Sequence, residues 1–355
     1  IWTGDTAAPR AAAVALLGLS QGVRDVPTYM RAGAIAQDVF RRNEDHPGAA
    51  HFVIHAFDDP LHAPLGRHAA RRYSEIAPEA PHAQHMTTHI FLALGMWDEV
   101  VSQNTIASGP DRPQWRPGHY TSWLHYGLLQ QGRFEDAGKL LALVHGNMAG
   151  ARAVHRSYLL GMRAHQVLMT ERWDDPSLAW VIDGEASETS RAMDAFASAL
   201  ASHHRGDATG ARAAGARLAA VADHPVGAIL HLEWRALEAQ ADGRPDSALA
   251  LAAEAARLED ARPVEFGPPD VVKPSHELRG ELLQAAGRPA DAVRAYEAAL
   301  ALAPGRSSTL LRLARASREA GLDQAASRAA GRLAANWHSA DPAVRAILQG
   351  VPAEP

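Results

Sequence analysis

Cysteine is absent from all 355 residues. That excludes disulfides, cysteine-ligated zinc and a thiol nucleophile, and leaves the compartment open. Lysine is almost as scarce, occurring only at Lys139 and Lys273, so the basic residues are nearly all arginine. With a net charge of −5 and no basic stripe interleaved with aromatics, a nucleic-acid partner is not expected. No long apolar run and no signal peptide is present, so no membrane span is expected either. Aromatics make up only 6% although 47% of residues are hydrophobic. Alanine and leucine dominate the difference, which suits closely packed helices better than sheets. The chain begins with Ile1 rather than methionine, as expected of a processed or trimmed product that lacks a targeting segment or an upstream repeat.

Ala11 to Leu19 reads as an Ala/Leu helix, and Pro27 to Arg42 as a second with its proline near the start. Gly18-Leu-Ser20-Gln-Gly22 fits the GxSxG nucleophile pattern, but that motif needs a preceding strand and an Ala-rich helix stands there instead. From Pro47 onward the chain punctuates itself with a turn glycine followed by an acidic, Ala-containing helix start. The marks fall at Gly95, Gly132, Gly206, Gly243, Gly287 and Gly321, at intervals of 37, 74, 37, 44 and 34. The double interval conceals one more mark, Glu171-Arg-Trp173, where glycine has been lost. A period in this range means stacked helical hairpins, each burying its apolar face only against its neighbours.

Gly280, Gly287, Ala292, Tyr296, Ala299 and Pro304 stand where the tetratricopeptide repeat places its small, turn, packing and stop residues. The chain resembles that family over roughly residues 47 to 340, most closely around 270–305. The resemblance implies an all-α, TPR-like α-solenoid of stacked antiparallel helix pairs forming a right-handed superhelix. The expected organisation is an N-terminal helical hairpin over 1–45, His-rich repeats over 46–170 and ordinary repeats over 171–355. Such folds are usually binding scaffolds, so fold alone does not give function.

Chemistry gathers between His51 and His89. Two segments carry histidine at i and i+4, His51/His55 and His85/His89, and the second pair follows the first by 34 residues, one repeat. Residues three or four apart share a helix face, so each pair presents two imidazoles together. In the family's usual architecture the first helix of each repeat lines the concave groove. That register adds His82 to the set, with Asp58 and Asp59 one turn beyond His55. It puts His119, Ser122 and Tyr126 in the next repeat's groove, and Tyr158, Gly161 and His165 in the one after. Beyond residue 170 the groove sites become Phe196, Leu200, Glu233, Leu237, Glu277 and Glu281.

HxxxH on a helix presents two nitrogens to one ion, and an imidazole-rich site favours copper, iron or zinc over magnesium or calcium. The expected ligands are His51, His55, His85 and His89, with His82 and Asp58 added, for one or two transition-metal ions per chain. Either aspartate could instead hold a ligating imidazole by its second ring nitrogen. Asp59, His119, Tyr126 and His165 would contact substrate or support the ligands. His68 reads as surface, His125 as a satisfied core residue, and His203 and His204 as solvated. Trp97, Phe134 and Trp173 recur at one repeat position and read as inter-helix packing.

The segments HPGAAH (46–51), IHAFDDP (54–60) and HAQHMTTHIF (82–91) also resemble a narrower group of bacterial repeat proteins with HPGAAH, IHAxDDP and HAxHMxSHIF signatures. Thr87-Thr88 stands where Pro-Ser is expected before His89. The resemblance implies a bacterial protein, cytoplasmic or exported, and supplies no reaction. The leading expectation is a metal-dependent enzyme, an oxidoreductase in preference to a hydrolase, acting on a small-molecule or peptide ligand in the groove. The alternative is a non-catalytic scaffold for a peptide or protein partner, with Glu233, Glu277 and Glu281 suited to a basic ligand. A third is metal storage or delivery.

Overall fold

The computed structural model describes residues 12–13, 16, 18, 25–109, 115–263 and 266–349. Most of the first expected helix, the serine of the GxSxG pattern and the last six residues lie outside them. Among the described residues all regular structure is helical. Contacts divide the chain into two compact units, Ile1–Arg112 with Pro263–Gly267, and Pro113–Arg262 with Pro268–Pro355.

The first unit contains α1 (Val26–Arg42), α2 (Pro47–Ala56), α3 (Ala63–Ile76), α4 (Pro81–Ala93) and α5 (Trp97–Ser108), each packed on the next. Proline in the first turn of α1 to α4 fixes φ where the amide hydrogen has no helical partner. Asp25 caps α1 by accepting from the Thr28 amide at 3.1 Å, and His46 Nδ1 caps α2 by accepting from the Ala49 amide at 3.3 Å. His46 is therefore a capping residue. Small residues hold the helices close: a Cβ on Gly66 of α3 would stand 2.7 Å from Ile90 Cδ1 of α4. This tight Ala/Gly packing sets α2 directly beside α4, so the first helices of two successive repeats run side by side.

The second unit comprises α6 (His119–Gln130), α7 (Phe134–Gly146), α8 (Ala153–Thr170), a 3-10 turn (Pro176–Ala179), α9 (Glu188–His204), α10 (Ala208–Ala219), α11 (Pro225–Ala241), α12 (Pro245–Asp260), α13 (Ser275–Ala285), α14 (Pro289–Leu302), α15 (Ser307–Glu319), α16 (Asp323–Asn336) and α17 (Pro342–Gln349). Both units are built from antiparallel helix pairs stacked in sequence, a TPR-like α-solenoid. All six turn glycines adopt φ between 68° and 72°, the left-handed conformation that ends a helix and starts the return. Glu171 shares it at φ 52°, alone among described non-glycine residues, so the concealed mark is a real turn.

The segment after Glu171 departs from those after the other marks. Trp97 and Phe134 are buried at the starts of second helices. Trp173 instead stacks on His204 with ring centroids 4.2 Å apart, in a stretch whose only regular structure is the 3-10 turn. Asp175 caps that turn at the Ser177 amide, and Pro176 stands immediately after the cap. His204 is thus exposed but stacked.

The second unit's interior is occupied by its own chain. Phe196, Leu200, Ile229, Val271 and Val272 belong to one apolar cluster. The end of this unit also meets the unit's own first helix pair. Ser307 donates from its amide to Gln130 Oε1 at 2.8 Å and from its hydroxyl to the Gln130 carbonyl at 2.6 Å. The Asp341 amide donates to the Gly132 carbonyl at 3.1 Å, and Asp341 Oδ2 accepts from the Glu135 amide at 2.9 Å.

Candidate metal centre

Within the first unit, α2 and α4 bring the paired histidines together. His51 and His55 have ring centroids 4.7 Å apart, and His85 and His89 5.0 Å apart. Across the helices His51 lies 5.4 Å from His82 and His55 lies 6.3 Å from His89. His85 and His89 are buried, His51 and His55 half-buried, and His82 exposed.

The hydrogen bonds fix how the second pair is oriented. His85 Nδ1 lies 2.8 Å from Asn104 Oδ1. The Asn104 amide nitrogen already donates to the Val100 carbonyl at 2.9 Å, so Oδ1 is an acceptor and His85 Nδ1 donates to it. His89 Nδ1 donates to Asp58 Oδ2 at 2.5 Å. Both rings then carry their proton on Nδ1 when neutral, which turns both Nε2 lone pairs to one space. The two Nε2 atoms are 3.2 Å apart. Facing lone pairs at that distance repel unless a proton or a cation lies between them.

Tetrahedral zinc with two imidazole ligands sets their nitrogens about 3.3–3.4 Å apart, so the donor pair fits such an ion with almost no movement. A ligating histidine held through its other ring nitrogen by a carboxylate or amide oxygen is the usual outer support of a metal site. Asp58 takes that supporting position, behind His89 rather than beside its Nε2. Asp59 is used locally: its Oδ1 accepts from the Leu61 and His62 amides, and its carboxylate pairs with His62 Nδ1 at 2.8 Å.

His51 is held in a similar way, its Nδ1 3.3 Å from the Tyr73 hydroxyl on α3. Burial, then the neighbouring His82 and His89, lower its pKa to about 4, so the ring is neutral at pH 7. Burial and His89 push His82 in the same direction. Neutral imidazoles are the form that ligates metal. Asn104 and Tyr73 are the site residues that sequence reasoning missed. Both lie on second helices, outside the first-helix register. The available signal was a polar Asn104 one turn after Val100 on the buried face of α5.

The remaining expected contacts fall in the second unit. His119 is exposed, its Nδ1 3.3 Å from the Tyr158 hydroxyl. Tyr126 and His165 are enclosed, with rings 5.1 Å apart. His165 directs Nδ1 to the Gly161 carbonyl at 3.0 Å and Nε2 to the Pro269 carbonyl at 3.1 Å. Burial, Arg306 and His125 lower its pKa to about 3, so the neutral ring donates to only one of the two. His125 is a core residue satisfied on one side only: Nε2 donates to Gln166 Oε1 at 3.0 Å, while Nδ1 has no hydrogen-bond partner. His68 is exposed beside Glu44, as expected.

The interior carboxylates have partners from this chain. Glu277 and Arg306 are both buried and paired at 3.0 Å. Glu281 binds Lys273 at 2.6 Å and Arg312 at 2.5 Å. Glu233 accepts from the Ser275 hydroxyl at 2.6 Å, and its Oε2 has no hydrogen-bond partner. A basic peptide would have to displace these internal partners.

Glu233 also makes a pH prediction. Burial, then the Glu259 charge, raise its pKa well above the ordinary carboxylate range, against the pull of Ser275 and Lys273. A carboxyl whose folded pKa is raised contributes stability below its unfolded pKa and loses it as pH rises through the folded value. Glu233→Gln keeps the acceptor for Ser275 and removes the titration. The melting temperature of the variant relative to the unsubstituted chain is therefore expected to climb between pH 5 and pH 8. A difference that stays constant over that range would show that Glu233 does not titrate there.

No protein-family model matches the chain, and no curated protein matches it. Solved helical-repeat structures do. The Cut9-Hcn1 hetero-tetramer of APC/C aligns over 98% of this chain and 63% of the matched chain, at 11% identity and a TM-score of 0.40. The IFIT1 monomeric mutant with Gppp-AAAA aligns over 98% and 77%, at 13% identity and 0.42. Naa15/Naa10 bound to HypK-THB aligns over 96% and 65%, at 12% identity and 0.32. This chain thus spans less than two thirds of the Cut9-Hcn1 chain and of the Naa15/Naa10 chain that it resembles.

Proposed function

We propose that this TPR-like chain binds a transition-metal ion through His85 and His89, and that the ion carries out chemistry on a small ligand. The observation behind the reading is the pair of Nε2 atoms 3.2 Å apart, each ring held from behind through Nδ1 by Asp58 or Asn104. Nitrogen donors favour copper, iron or zinc. Two protein ligands leave coordination positions for water or substrate, which suits Lewis-acid activation of water or activation of oxygen. All-imidazole ligation tilts the choice toward redox chemistry. A scaffold binding a basic peptide finds less support, because Glu277 and Glu281 already pair with Arg306, Lys273 and Arg312.

The test is metal content by plasma mass spectrometry on tag-free protein, beside a His85→Ala/His89→Ala variant. Near-integer copper, iron or zinc is expected in the unsubstituted chain and its loss in a variant that keeps its helical circular dichroism. A shared proton between the two rings would explain the same contact. Protein that holds no metal and takes up no added zinc, copper or iron would favour the proton and end the metal reading. The metal found would then select hydrolytic or redox assays.

A further inference from the structure

We infer that the site is duplicated: the preceding repeat holds a second ion on His51 and His55. The inference rests on the metal reading above and adds its stoichiometry. Its basis is the repeat. His51 and His85 are equivalent positions one 34-residue period apart, as are His55 and His89. Equivalence holds in space as well as in sequence, with ring separations of 4.7 Å and 5.0 Å in the two pairs.

The support behind the rings is repeated too. In each repeat the leading histidine directs Nδ1 to a polar side chain on that repeat's own second helix: His51 to Tyr73 on α3, and His85 to Asn104 on α5. Tyr73 and Asn104 do not occupy equivalent sequence positions, since they stand 22 and 19 residues after their histidines. Two different residues, one turn apart on the helix, reach the same ring nitrogen. With Nδ1 engaged, the remaining ring nitrogen of each leading histidine is Nε2, which ligates where the partner at Nδ1 accepts. His82, one turn before His85, brings its ring to 5.4 Å from His51. His55 and His89, one from each pair, have rings 6.3 Å apart, so the two ions would be neighbours.

Cobalt(II) titration of the metal-free full chain, followed by its visible absorption and by bound-metal analysis after gel filtration, tests the inference. Two equivalents are expected for the unsubstituted chain. One is expected for His51→Ala/His55→Ala, one for His85→Ala/His89→Ala, and none for the fourfold variant. The corresponding glutamine variants guard against loss of fold, which circular dichroism checks in every case. One equivalent in the unsubstituted chain, lost on substituting either pair, would replace two sites by a single ion shared between the repeats. One equivalent unaffected by the His51/His55 substitutions would leave the second pair as the whole site. No binding by the unsubstituted chain would overturn the metal reading itself, an outcome distinct from both.

Discussion

Replacing Glu277 by leucine is expected to destabilise the second unit by about 3–5 kcal/mol, the penalty for stranding a buried charge. Glu277 accepts from Arg306 at 3.0 Å, from the Ser308 hydroxyl at 3.2 Å and from the Thr309 hydroxyl. Without it, Arg306 keeps the Tyr126 hydroxyl at 3.3 Å and the Val272 carbonyl at 3.2 Å, both neutral. Arg312 and Lys273 are less affected, because each retains Glu281. Burial works to protonate Glu277, but Arg306, Arg312, Lys273 and the Thr309 hydrogen bond outweigh it and hold the carboxyl below the usual range. A depressed folded pKa gives stability that is present above the unfolded value of 4.5 and is lost as pH falls through the folded one. The gap between the unsubstituted chain and the variant should therefore narrow below about pH 4. Guanidinium unfolding followed by tryptophan fluorescence checks both points, since Trp123, Trp234 and Trp337 lie in this unit. Glu277→Leu combined with Arg306→Met should recover most of the loss, as an apolar pair replaces an ion pair. A loss below about 1 kcal/mol for the single variant would mean that water reaches Arg306.

That ion pair marks where sequence reading stopped. The turn marks were legible because a left-handed residue after a helix is a local requirement that glycine meets, and the spacing of the neighbouring marks pointed to Glu171. The histidine pairs were legible because i, i+4 spacing and a 34-residue period need no tertiary information. The filled interior of the second unit was not read from sequence. Pro268-Pro269-Asp270-Val271-Val272-Lys273-Pro274 looks like a connecting loop, yet Val271 and Val272 are buried. The 44-residue interval between Gly243 and Gly287, against 34 or 37 elsewhere, contains this insertion. Where its two valines would point depends on distant helices. For the same reason the pairing of Glu277 with Arg306, 29 residues away and across two helices, left no local trace. Tyr73 and Asn104 were hidden because a repeat register fixes which face a residue occupies but not which neighbouring polar atom it meets.

Substitution of Asp58 is expected to weaken metal binding without removing a ligand. Its carboxylate holds His89 Nδ1 at 2.5 Å, which fixes the tautomer and raises the donor strength of Nε2. Asp58→Asn keeps an oxygen acceptor and loses the charge, so affinity should fall about ten-fold. Asp58→Ala removes the acceptor as well and should approach a hundred-fold loss, the upper range for such supporting residues. His89→Ala should lose more than either, because a donor nitrogen disappears. Competition against a chelator of known affinity gives these ratios. The nitrogen-15 shifts of His89 supply the readout that a merely structural role would not move: Nδ1 protonated in the unsubstituted chain and in Asp58→Asn, and a mixture of tautomers in Asp58→Ala. If Asp58→Ala binds metal as the unsubstituted chain does while His89→Ala does not, Asp58 serves the fold and not the donor. If the affinity falls and the tautomer shifts together, the carboxylate acts through the imidazole, and a residue on the loop between the two helices of one repeat sets the chemistry of a ligand on the next.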